Sequence, residues 1–184
     1  MASSAGIEFL QTCIKRLKYY KQLAEKTFEQ LDEKDIHFTS NNTTNSIAVI
    51  VQHMSGNMLS RWTNFLTEDG EKEWRQRDAE FELHKYTKVQ VLELWEKGWT
   101  CFLGTLQSLT ENDLLKTVTI RREPLLVIDA INRQLAHYPY HIGQIIHIGK
   151  IIRDGDWKNL SIAVGKSDEY NKSEGVKDPA KEMR

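Results

Sequence analysis

The chain has 184 residues, 40% hydrophobic and 28% charged, the balance of one soluble globular domain with a full core rather than a disordered or fibrous chain. Lys+Arg of 25 against Asp+Glu of 26 leaves a net charge of -1, so no global basic field exists to hold a phosphate backbone and no nucleic-acid partner is expected. Cys13 and Cys101 lie far apart without a CxxC pair, which excludes a disulfide framework and a cysteine zinc site and points to a reducing, cytoplasmic compartment.

At the N-terminus, MASSAGIEF lacks the basic and apolar regions of a secretory signal. Leu10, Ile14, Leu17, Ala24, Phe28 and Leu31 then recur at helical spacing, predicting an amphipathic helix over 5–32. HFTSNNTTNS is rich in side chains that cap helix starts, and a second helix is predicted over 45–66. The twenty residues TEDGEKEWRQRDAEFELHKY hold eleven Asp, Glu, Lys or Arg with no clean apolar period. They read as a long connection whose charges are solvated surface sooner than a substrate clamp.

Thr87 and Gln90 make a capping box that starts a third helix. Leu92, Trp95, Trp99, Phe102, Leu106 and Leu109 follow as its buried seam. KTVTIR at 116–121 alternates as a short strand, and a fourth helix is predicted over 126–153, ended by Asp154-Gly155-Asp156. The most apolar runs, IAVIV at 47–51 and LLVI at 125–128, fall far short of the roughly 20 residues of a spanning helix, so no membrane is expected. Residues 1–164 form the predicted domain, and 165–184 a loosely ordered tail with almost nothing to bury.

Four long helices make an all-α four-helix bundle the expected architecture. A helix of the second one's length spans ~33 Å, and twenty extended residues reach ~60 Å. The long connection between helices 2 and 3 can therefore cross the bundle and give an up-down-down-up order.

The chemistry is expected on histidines. In LAHYPYHIGQIIHIGK, His137 and His141 leave one helix face a turn apart, near enough to share a metal ion. His147 lies about 240° around the helix from His141 and does not join them. Tyr138 stands where HExxH has its general-base Glu, which removes the zinc-protease reading. His53 shares a face with Val49, Ile50 and Asn57 on helix two and points inward as the third ligand. A lone inward histidine is more often a core residue, but the His137/His141 pair shifts the balance towards a metal site. Three neutral imidazoles leave a coordination position for water or substrate, the catalytic type of site. Gln134 and Asn57 fall on the ligand faces as partners for the rings, though both also read as ordinary polar helix residues. Pro139 lies between the two histidines, where it removes a hydrogen bond and predicts a kink.

The segments NSIAVIVQHMSGNMLSRWTNFLTEDGEKEWRQRDAEF at 45–81, TVTIRREP at 117–124 and INRQLAHYPYHIGQIIHIGK at 131–150 resemble the DinB-like superfamily of four-helix bundles. Within it, the likeness is closest to a subfamily known mainly as a domain of unknown function, and it covers about residues 5–165. The resemblance implies an up-down-down-up bundle, a homodimer, and a divalent ion on His53, His137 and His141. Zinc or nickel comes first, with cobalt, iron or manganese also allowed. It further implies transfer of a low-molecular-weight thiol such as bacillithiol, mycothiol or glutathione to a small electrophile, with metal-dependent hydrolysis as the alternative. A non-catalytic metal-binding dimer is the reading from a different class. Neither Cys13 nor Cys101 is needed as nucleophile, and both read as buried helix residues.

Overall fold

The computed structural model describes residues 3–82, 84–173, 175, 178–181 and 183. These are mostly helical, with a single small hairpin. Residues 1 and 2 of the predicted domain, 83 of the charged connection, and 174, 176, 177, 182 and 184 of the predicted tail lie outside the described residues.

Helix α1 spans Ala5–Phe28, where Ser4 caps the start by accepting from the Ile7 N–H. It ends four residues before the predicted limit, and Leu31 is buried from the turn that follows. Helix α2 spans Ile47–Trp62 under a Ser46 cap; Asn64, at φ 50°, turns the chain away. Helix α3 spans Lys88–Ser108 behind the Thr87/Gln90 capping box that the sequence announces. Its predicted seam holds: Trp95, Trp99, Phe102, Leu106 and Leu109 are buried, and Leu92 packs against them partly covered. Gly98 lets α3 approach α2 closely, since a Cβ there would sit 3.0 Å from the Ser55 Cα.

The expected strand at 116–121 has a partner, which the sequence pattern does not predict, just before the fourth helix. Strands β1 (Thr117–Ile120) and β2 (Glu123–Leu126) pair antiparallel, Val118 opposite Leu125. Arg121 and Arg122 form the turn at φ 57° and 66°. Their backbone N–H groups both donate to the Asp69 carboxylate, at 2.9 and 2.7 Å, which offsets the left-handed conformation. Burial opposes ionisation of Asp69, but these bonds and that from the Glu71 N–H outweigh it and hold the carboxyl down to about 2.

Helix α4, Val127–Arg153, continues through Pro139. Beyond it, the segment 165–184 carries the short helix α5, Ser167–Lys172. It returns to α1 through Asp178, which meets Arg16 at 2.5 Å and Lys15 at 3.3 Å, and Ala180 nearby is buried. Among the described residues no helix is long and apolar enough to cross a membrane.

The core joins all four long helices around Trp62, Trp95, Trp99, Phe102 and Tyr138. The charged connection is not solvated throughout. Lys72, Arg75 and Glu80 are buried, because the segment folds back over α2: Gln52 Nε2 donates to the Ala79 carbonyl, and Ser60 Oγ and Arg61 Nη1 both donate to the Gly70 carbonyl. This wrapping brings Glu80, and Arg75 bound to it, against His53.

Candidate metal centre

His53, His137 and His141 each offer a ring nitrogen to a group whose ligand atoms lie within 4.8 Å of one another, close enough to hold a metal ion. His53 comes from α2, and the pair from one face of α4. His147 is exposed and lines a different cavity beside Phe38 and Ile151. His37 Nε2 and His84 Nε2 meet the carbonyls of Tyr86 and Ala79.

The protonation pattern of the three rings follows from what stands behind them. His53 Nδ1 lies 3.0 Å from Glu80 Oε2, and a carboxylate oxygen can only accept, so Nδ1 carries the proton. His137 Nδ1 faces Gln134 Oε1 at 3.2 Å, and His141 Nδ1 faces Gln144 Oε1 at 2.8 Å. With Nδ1–H donating to these oxygens, each ring is oriented so that its Nε2 side is turned away from the acceptor. The Nε2 atoms of His137 and His141 are 3.1 Å apart. Two ring nitrogens at that separation need a hydrogen or a metal ion between them.

Burial favours the neutral form of the two rings on α4. Burial, then the neighbouring His141, His53 and Arg133, pushes His137 down to about 3. Burial also lowers His141, opposed by its bond to Gln144. Neutral imidazoles on rigid helices, each oriented by an oxygen acceptor, suit a borderline divalent ion.

Glu80 is the residue that sequence reasoning missed. It closes a chain from His53 to Arg75, whose Nε and Nη2 donate to the two carboxylate oxygens at 2.7 and 2.9 Å. Burial opposes its ionisation, but the bonds from Arg75 and His53 outweigh that and keep it charged. Gly56 makes room for it, since a Cβ there would overlap the carboxylate and lie 2.7 Å from its Cδ. Gly56 was the available signal: one turn past His53, it opens a gap on the same face of α2.

Gln134 and Asn57, read as ordinary polar residues, are both committed. Gln134 is 2% exposed and holds His137. Asn57 Oδ1 accepts from the Tyr138 hydroxyl at 3.0 Å, and that hydroxyl accepts from Trp62 Nε1 at 3.2 Å. Tyr138 is fully buried, and burial holds its hydroxyl protonated far above the ordinary range. It is therefore a packing residue and no base.

A cavity of about 250 Å³ opens beside the rings, lined by His53, His137, Asn57 and Gln134 and by arginines on its far side. Neither thiol of the chain lies in it. Cys13 is buried, which pushes its thiol up to about 11, and Cys101, only half-buried, has its Sγ 3.6 Å from Thr63 Oγ1. No curated protein and no solved structure matches the chain. A family model described as protein of unknown function (DUF1572) matches residues 4–166, the four long helices, the hairpin and all three histidines included, so the chain belongs to that family.

Proposed function

We propose that this protein is a metal-dependent enzyme of the DinB-like kind, holding one divalent ion on His53, His137 and His141 and transferring a low-molecular-weight thiol such as bacillithiol to a small electrophile. The observation that carries the reading is the convergence of three ring nitrogens beside a cavity, each ring anchored from behind. Zinc or nickel suits three neutral imidazoles best, with cobalt, iron and manganese following. When bound, such an ion lowers the pKa of a thiol or water so that the anion is available at neutral pH.

The chain's own residues supply position. Glu80 holds His53 in one tautomer, Gln134 and Gln144 do the same for the pair, and Tyr138 locks α4 against α2 through Asn57 and Trp62. Hydrolysis is the alternative reaction of the same site. A non-catalytic metal-binding dimer would wall the rings with apolar groups, and the polar lining of the adjoining cavity speaks for turnover.

The same reading makes the chain a cytoplasmic homodimer and an up-down-down-up four-helix bundle. Helix contacts support that order. Ser55 Oγ donates to the Leu94 carbonyl and Thr105 Oγ1 to that of Trp62, so α2 and α3 run the same way. Lys88 Nζ reaches the Leu31 carbonyl, just past the end of α1, and Trp95 Nε1 reaches Glu25, so α3 opposes α1. His53 meets His141 while Asn57 meets Tyr138, so α4 opposes α2.

The test incubates metal-loaded protein with bacillithiol or glutathione and monobromobimane, beside His53→Ala. Turnover that disappears with the histidine supports the enzyme. No turnover above the variant, together with loss of oligomeric state or melting temperature in the variant, supports the non-catalytic dimer instead.

A further inference from the structure

The far side of the cavity is built of arginines: Arg61, Arg75, Arg77, Arg121 and Arg133 line it together. Their counter-charges are fewer. Glu80 is taken up by Arg75. The one Glu71 Oε2 atom is shared among Arg121 Nε at 3.1 Å, Arg61 Nη2 at 3.2 Å and Arg75 Nη1 at 3.9 Å. Asp78 lies 3.9 Å from Arg77 and is fully exposed, where water screens it. Among the described residues Arg133 makes no ion pair, and Arg75 Nη1 has no hydrogen bond although its side chain is only 2% exposed.

Positive charge is thus in excess in a concave, partly desolvated place. Burying a guanidinium group costs free energy unless it is paired; Arg61 and Arg75 are the buried ones, and the unanswered Arg75 Nη1 together with the exposed Arg121 and Arg133 at the mouth leaves a place that an anion would fill. The strain registers on Arg61: burial lowers its pKa, Glu71 opposes this, and Arg75, Arg121 and Arg133 add to the lowering. Guanidinium groups present planar pairs of donors that match the oxygens of a phosphate or carboxylate.

We infer that the cavity takes a small substrate bearing an oxyanion, a phosphate or carboxylate group held by Arg75, Arg121 and Arg133, with the rest of the molecule facing His53 and His137. This deepens the proposed function and rests on it only for what happens at the histidine end. The arginine end stands on the cavity and its charges alone. A neutral electrophile leaves the surplus charge unanswered, so the arginines select against it.

Isothermal titration calorimetry with the full chain, chelator-treated and zinc-loaded, tests the inference using inorganic phosphate and malonate as probes at constant ionic strength. One saturable site is expected in both forms, and whichever probe binds more tightly assigns the oxyanion. Arg133→Ala replaces an exposed helical residue with a good helix former, and Arg121→Asn keeps a residue that tolerates positive φ, so both variants fold. Each weakens the probe by about tenfold, the worth of a hydrogen bond to a charged group. His141→Ala, which removes a proposed metal ligand, leaves probe binding to the chelator-treated protein unchanged. Absence of saturable binding to the chelator-treated chain, or equal affinity in wild type and both arginine variants, overturns the inference. Anion binding without zinc binding leaves it standing while the metal reading fails.

Discussion

His53 Nδ1 and Glu80 Oε2 meet at 3.0 Å across 27 residues of sequence, both side chains 8% exposed. The contact ties a histidine of α2 to a carboxylate on the single 3-10 turn Asp78–Phe81, itself clamped by Arg75. Without it the His53 ring could rotate or change tautomer, and the Nε2 lone pair would lose its direction.

Gly56→Ala tests how tightly that contact is built. The added Cβ overlaps the Glu80 carboxylate, which Arg75 prevents from simply swinging away. Alanine improves intrinsic helix propensity by roughly 1 kcal/mol, so α2 remains helical. Zinc affinity, measured by competition with a chromophoric chelator, falls about 10- to 100-fold, the usual effect of disturbing a partner of a ligand. Unchanged affinity would show that Glu80 does not orient His53.

Glu80→Ala should cost stability as well as affinity. Arg75 is left buried with only Glu71 at 3.9 Å, and stranding a buried charge costs about 3–5 kcal/mol. Urea unfolding of the zinc-free protein checks this. The double variant Glu80→Ala/Arg75→Met recovers part of the loss, because it removes the unpaired charge. Failure of the second substitution to help would mean that Arg75 already finds water.

Much of this was legible in the sequence, and what was not has a physical reason. Helical spacing gave the faces of His53, His137 and His141, and side-chain oxygens at Ser46 and Thr87 marked two helix starts. Arg75 and Glu80 could not be read, because no period governs a loop: their burial depends on the Gly56 gap and on Asp69 gripping the Arg121–Arg122 turn. Strand β2 was hidden for a related reason. Pro124 and the apolar run into α4 obscure a strand that only its partner β1 defines.

Tyr138→Phe separates packing from chemistry at the position where a protease motif would hold its base. Removing the hydroxyl leaves Trp62 Nε1 and Asn57 Oδ1 buried without their bonds, at about 1–3 kcal/mol. The aromatic ring still fills the space between Trp99 and Phe102. Denaturant unfolding therefore shifts while zinc stoichiometry does not, and loss of metal from the variant would contradict a packing role.

Metal content distinguishes the histidines. His141→Ala removes one of the converging nitrogens and abolishes tight zinc binding. His147→Ala, six residues on and exposed, retains it. Elemental analysis after dialysis gives about one zinc per chain for wild type and His147→Ala, and equal content in the two variants would refute the assignment.

The pH dependence of the zinc-free protein follows from His137. In the unfolded chain its ring protonates near 6.5. Folded, burial first and then the neighbouring His141, His53 and Arg133 hold it down to about 3. Between those values the unfolded state binds more protons, so stability rises with pH through that window and levels off above it. His141, lowered chiefly by burial, acts in the same direction. Glu80 adds a further loss at the acid end, since its depressed carboxyl stabilises the fold above its unfolded value and the contribution disappears as pH falls through the folded one. Urea midpoints recorded with chelator should therefore be level above about pH 6.5 and decline steadily on acidification, and His137→Gln should flatten that decline. With zinc bound the decline becomes steeper, because the metal competes with protons for the same nitrogens. A midpoint that stays level from neutrality to about pH 4.5 would mean that these rings take up protons in the folded state as freely as in water.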